Sequence, residues 1–219
     1  MFIGHYAVGF ASKRAAPQTS LGTLIGAAML LDLIWPIFLL AGWEQVRVDP
    51  GNTAFTPLDF VSYPWSHSLV TACGWAALFA LVYWARRRYR AGALLIGLGV
   101  ISHWVLDALT HRPDMPLYPG GPRLGLGLWN SIAGTMIVEG LMFAAALWLY
   151  ATAIRPRDRT GRYAFRAFVL AALLMYGINI VNPPPLGMSS RQIGLFSLVA
   201  WIIPFWAAWI DRHRTRVMV

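Results

Sequence analysis

Six apolar runs joined by short loops constrain this chain more than any other feature. They cover roughly Leu21–Trp43, Trp65–Ala85, Ala91–Leu109, Trp129–Ile154, Ala164–Val181 and Ile193–Ile210. A helix crosses the hydrocarbon core of a bilayer in about 20 residues. Lipid offers the backbone no outside hydrogen-bond partner, so runs of this length must be helices. The fold class that follows is an all-α integral membrane protein, with about six transmembrane helices in one bundle. Composition agrees: 58% of the 219 residues are hydrophobic and only 12% are charged, too few to cover a water-soluble surface.

The charged residues sit between the runs, and their sign alternates. Lys13 and Arg14 precede the first run; Glu44, Arg47, Asp49 and Asp59 follow it; Arg86-Arg87-Arg88-Tyr89-Arg90 follows the second. The fourth loop carries Arg155, Arg157, Arg159, Arg162 and Arg166 against Asp158, and the tail carries Arg212, Arg214 and Arg216. Under the positive-inside rule both termini are cytoplasmic, and loops one, three and five face outward. The net charge of +9 therefore reads as topology and contact with anionic lipid, not as nucleic-acid binding.

Residues Met1–Ala11 are apolar but too short to cross, and they read as a half-helix dipping into the bilayer or as an interfacial anchor. Asn182-Pro183-Pro184-Pro185 and Pro119-Gly120-Gly121-Pro122 are loop signals. Loops this short imply a single polytopic domain over 1–219. The single Cys73, inside an apolar run, reads as a small buried hydrophobe.

Ionisable groups inside the runs carry the chemistry, because a charged side chain in lipid is costly unless paired or ligated. His103 and Asp107 lie four residues apart in the third run, neighbours on one helix face. From a rise of about 1.5 Å per residue, Asp32 lies near the midplane, about 16 Å from the inner end of its run. By the same rise His103, Asp107 and His67 lie about 18, 24 and 27 Å from that side, and Glu139 about 15 Å down the fourth run. A half-helix brings His5 towards the lower edge of that band. Carboxylates at shared depth in a small bundle repel one another unless a cation or neutralising partner joins them. Mixed histidine and carboxylate ligands suit zinc foremost, and also manganese or iron. His111 stands about 12 Å along the axis from His103, too far to share one ion.

The order of these residues resembles the YdjM-like family, described as membrane-bound metal-dependent hydrolases. The resemblance rests on His5, an Asp in the first run, Ser66-His67-Ser68 opening the second, and His103-x-x-x-Asp107 with Met115-Pro116-Leu117-Tyr118-Pro119 after it. It covers about the first 120 residues, leaving the helices of 129–210 as accessory. The ligand order is also similar to that of the zinc-dependent phospholipase C and S1-type nuclease fold. The resemblance implies a metal held by His5, Asp32, His67, His103 and Asp107, with Asp107 bridging two ions. Relatives often carry a second acid two residues after the first-run Asp, where this chain has Ile34, and a His-Arg pair where it has Ser62-Tyr63.

The expected function is hydrolysis of a lipid or phosphate ester in the outer half of a bacterial inner membrane, by hydroxide generated on the metal. Arg112, with Arg123, would clamp an anionic headgroup. Asp114 or Glu139 would serve as general acid. The alternative is an ion- or proton-coupled transporter or relay using Asp32, Asp107 and Glu139.

Overall fold

The computed structural model describes residues 1–217. It opens with α1 (Ile3–Ala15), which is buried along most of its length, with Ile3, Tyr6, Ala7 and Phe10 in the core. The N-terminal segment is therefore a helix packed inside the protein, with Lys13 and Arg14 in its last turn, and not an anchor on the membrane surface. Next come α2 (Leu21–Ala28) and α3 (Leu30–Ala41), then the antiparallel pair β1 (Gln45–Val48) and β2 (Leu58–Ser62). A one-turn helix, α4 (Pro64–His67), precedes the long helices α5 (Leu69–Arg87) and α6 (Arg90–Thr110). After a two-residue ladder of β3 (Met115–Pro116) on β4 (Arg123–Leu124) come α7 (Ile132–Ala153), β5 (Ile154–Pro156) and α8 (Arg159–Val181). The last elements are α9 (Ser190–Ser197), a 3-10 turn, α10 (Ile202–Arg212) and β6 (Arg214–Arg216), which pairs with β5.

Five helical stretches are long and apolar enough to cross a membrane: α5, α6, α7, α8 and the continuous Ser190–Arg212 rod. The bent pair α2 and α3 makes a sixth if counted as one span. Among these, α6 is the central one: 44% of its apolar window is inside the protein, against 11% for α5. The outer faces of α5, α7 and α8 present Leu81, Leu141 and Leu170, as lipid contact requires.

Local chemistry sets most helix starts. Ser20, Ser68, Ser131, Asp158 and Ser189 each accept a backbone N–H two or three residues into the helix that follows. Two glycines permit close helix approach. A side chain at Gly9 would meet the Ile25 backbone, and one at Gly22 would meet the Pro204 carbonyl. These contacts press α2 between α1 and α10.

The structure departs from the sequence reading at several boundaries. The first run is broken at Met29, whose φ of −100° and ψ of 3° leave the helical region, and α2 and α3 meet at 60°. Glycine-mediated packing fixes α2 against α1 and α10, while α3, with Pro36 inside it, leans on α9. The second run also starts later. Ser68 caps α5, while Ser66 turns to a different partner and His67 ends the separate α4. The fifth and sixth spans are 23 residues each, longer than their apolar runs, because α8 starts within the arginine-rich segment and the sixth continues to Arg212. Cys73 is exposed on α5 and not buried.

Candidate metal centre

The five sequence candidates His5, Asp32, His67, His103 and Asp107 come together from four separate elements. His5 arrives on α1, Asp32 in the first turn of α3 just past the break, His67 on α4, and His103 and Asp107 on α6. His103 Nε2 lies 3.2 Å from Asp107 Oδ2 and 3.7 Å from Asp32 Oδ1. His67 Nε2 faces the same two carboxylates at 3.5 Å from Asp32 Oδ1 and 3.8 Å from Asp107 Oδ2. His5 Nε2 lies 3.0 Å from Asp107 Oδ1, and its ring stacks on His103 at 3.7 Å between centroids. The Met1 amino group also meets Asp107 Oδ1. Two triads, His5–His103–Asp107 and Asp32–His67–His103, each have ligand atoms within 4.8 Å of one another and could hold a metal ion. They share His103. His5, His67, His103 and Asp107 are buried, whereas the Asp32 side chain is 39% exposed.

Proton bookkeeping makes this cluster informative. His103 Nδ1 lies 2.8 Å from the Ala28 carbonyl, which can only accept. Nδ1 therefore carries a proton, and Nε2, which has no hydrogen-bond partner, presents a lone pair when the ring is neutral. That carbonyl sits at the α2–α3 break, where a continuous helix would have used it. His67 is fixed similarly. Ser66 Oγ lies 2.6 Å from Glu44 Oε2 and 2.6 Å from His67 Nδ1. Its single proton goes to the Glu44 carboxylate, so it accepts from His67 Nδ1–H and leaves the His67 Nε2 lone pair facing Asp32 and Asp107. With both rings neutral, two lone pairs thus face Asp32 and Asp107 Oδ2, acceptors against acceptors, while the Met1 amino group and His5 serve only Asp107 Oδ1; a cation between the lone pairs and the carboxylates would complete the arrangement.

Nothing local in the sequence marks Glu44 as a site residue, since it stands among the loop charges after the first run, where a solvated carboxylate is the ordinary expectation. In the structure it is buried and accepts from Trp65 N–H, Ser66 N–H and Ser66 Oγ–H. Burial raises its pKa above the usual glutamate range, opposed by the Ser66 hydrogen bonds and His67. The spacing of Glu44 to Ser66-His67 carries no local signal; only the chain reversal through β1 and β2 joins them.

The remaining candidates lie around this cluster. Glu139, on α7, accepts the Phe2 and Gly4 amides through Oε2 at 2.8 and 3.0 Å, holding the start of α1. Its Oε1 is buried and unpartnered. Asp114 is taken up by Tyr63 Oη–H at 2.8 Å, His111 Nδ1 at 2.9 Å and Arg112 Nε at 3.3 Å. Arg112 also pairs with Asp59, which Arg47 meets at 2.7 Å. His111 is buried beneath Trp129, 4.2 Å between ring centroids, and belongs to this second network. Hydrogen bonds from His111 and Tyr63 outweigh burial and hold Asp114 below the usual aspartate pKa, while burial beside Asp114 pushes the Tyr63 phenol well up. Arg123 donates to the Val61 carbonyl. Ile34 packs with the second apolar cluster around Trp35 and Tyr63.

A broken first span, a buried helix before it and a histidine–carboxylate cluster at their junction define a polytopic membrane protein with a candidate metal centre. The family model for the YdjM inner membrane protein matches residues 1–183, and the chain belongs to that family. It is a multi-pass inner membrane protein. No curated protein and no solved structure matches the chain.

Proposed function

We propose that the protein is a membrane-embedded, metal-dependent hydrolase acting on a lipid-like phosphate ester in the outer half of the bilayer. The observation that carries this reading is the pair of fixed Nε2 lone pairs on His67 and His103 facing Asp32 and Asp107. His5, Asp32, His67, His103 and Asp107 would hold a divalent ion, zinc foremost, with manganese or iron as the other metals this donor set suits. When bound, the ion would supply Lewis acidity and a water acidified to near neutral pH.

The chain's own residues do the rest. The Ala28 carbonyl and the Glu44–Ser66 pair hold two imidazoles in the ligating tautomer. Glu139 seats α1 and so places His5. Its free Oε1 makes it the favoured proton donor to the leaving alcohol. Water adds to phosphorus, the phosphorus–oxygen bond to that alcohol breaks, and the alcohol leaves with a proton. Asp114 and Arg112, tied to Tyr63, His111 and Asp59, act in this reading as a brace for the outer loop, with spare Arg112 N–H groups to meet an anionic headgroup. The arginine-rich loops support cytoplasmic termini.

Elemental analysis of chelator-washed, zinc-reloaded protein tests the proposal. Wild type should carry stoichiometric zinc and His103→Ala none, with both folded by circular dichroism; a metal-free wild type would sink it. The 60° break in the first span favours one rival, a proton-coupled transporter, since such carriers use broken helices. Carboxylate-dependent proton flux into liposomes by metal-free protein would select that rival.

A further inference from the structure

Access to the centre is one-sided. The side chains of His5, His67, His103 and Asp107 are at most 4% exposed, and only Asp32, at 39%, opens outward. A cavity of about 250 Å³ reaches Asp32 from that side. Trp35, Phe55, Phe60 and Trp129 wall it, with Phe55 and Trp129 stacked at 5.9 Å. Met175 and Asn179 of α8 and Ser197 of α9 also line it. Neither Asn179 nor Ser197 engages its side chain in a hydrogen bond among the described residues. No lysine or arginine lines the cavity, and Arg112 and Arg123 lie outside it.

These features select among substrates. A multiply charged phosphate seated in the chamber itself would lose its hydration and find one cationic group in the lining, the Met1 amine, already paired with Asp107. An aromatic-walled chamber whose free polar groups are neutral, Asn179, Ser197 and the indole N–H groups of Trp35 and Trp129 among them, instead suits an uncharged apolar segment next to a polar, neutral oxygen. Its volume falls below the usual ligand pocket of about 300 Å³ or more, so a longer chain must leave through the mouth.

We propose that this cavity is the apolar-group subsite of the centre. It receives the uncharged hydrocarbon group of an ester whose reacting phosphate carries a single negative charge. Asn179 and Ser197 hydrogen-bond a neutral oxygen beside that group. The subsite thereby favours monoanionic lipid esters over phosphomonoesters and pyrophosphates. It also gives α8 and α9 a place in recognition. The inference rests on the metal-hydrolase reading above.

Calorimetric titration of zinc-loaded protein tests it, using the non-hydrolysable monoanions methyl methylphosphonate and butyl methylphosphonate, and pyrophosphate. The butyl compound should bind about tenfold or more tighter than the methyl one, the gain expected from three buried methylenes. Pyrophosphate should bind weakest once its contribution from stripping zinc is excluded by metal analysis. Met175→Trp, which fills the chamber, should erase the butyl preference while zinc content stays at the wild-type level. Asn179→Leu should weaken both phosphonates alike. Equal affinity for the two phosphonates, tighter pyrophosphate binding, or a butyl preference that survives Met175→Trp would overturn the subsite. A wild type without zinc would instead remove the reading beneath it, so the two failures are distinct.

Discussion

Two buried polar clusters lie side by side, bridged by Tyr63, whose ring is 5.3 Å from His67 and whose hydroxyl binds Asp114. Both contain histidines and carboxylates, but their chemistry is opposite. In the outer cluster every carboxylate has its donor: Asp59 has Arg47 and Arg112, and Asp114 has Tyr63, His111 and Arg112. In the inner cluster the Met1 amino group and His5 reach only Asp107 Oδ1, and the Nε2 atoms of neutral His67 and His103 turn lone pairs on Asp32 and Asp107 Oδ2. A cluster whose donors and acceptors balance is a brace. One left with excess acceptors is a place for a cation.

That contrast can be broken by mutation. The largest effect should come from His103→Ala or Asp107→Asn, with loss of bound metal and of any hydrolytic activity, read by elemental analysis and turnover. The same measurement on Asp59→Asn should leave metal content unchanged; stoichiometric loss there would erase the distinction between the clusters. A smaller effect should follow Ser66→Ala or Glu44→Gln, which release His67 from its tautomer. Metal affinity should then fall about 10–100-fold, as for other partners of ligating histidines, measured by chelator competition.

Smaller still is the cost of unpairing the brace. The side chains of Arg47 and Arg112 are 66% and 39% exposed, so water screens both pairs. Asp59→Asn should therefore lower stability by only about 1 kcal/mol, visible as a modest drop in Tm. The faintest signature is pH dependence. Asp114 is held low by His111 and Tyr63, so its stabilisation is complete above the ordinary aspartate pKa of about 3.9 and is lost as pH falls below it. Glu44 has the opposite sign. Its raised pKa means stability declines as pH rises through and above the ordinary glutamate value of about 4.3, and Glu44→Gln should flatten that slope in pH-dependent thermal unfolding.

Legibility in the sequence followed free-energy cost. Asp32, His67, His103 and Asp107 stand out because ionisable groups are expensive inside apolar runs. The i, i+4 spacing of His103 and Asp107 is a local property of one helix that no tertiary context can undo. Glu44 was invisible because a carboxylate in a polar loop costs nothing until the chain buries it. Met29 gave no warning of a break, because nothing in Ala28-Met29-Leu30 opposes a helix; the packing of α2 against α1 and α10 imposes it.

The sequence by itself determined the membrane class, the span count if the broken pair is one span, the family and the chemical types that meet at the centre. The class, the span count and the chemical types follow from periodicity, length and burial cost, which are summed along the chain, while the family rests on the order and spacing of the motif residues. Tertiary structure alone decided that α1 inserts to deliver His5, that a broken helix lends Ala28 to His103, that Glu44 reaches His67 through Ser66, and that a chamber opens beside Asp32. These depend on which surfaces face one another. The chamber is an extreme case, being a space left between ordinary apolar residues of distant elements, none of which carries a mark of it.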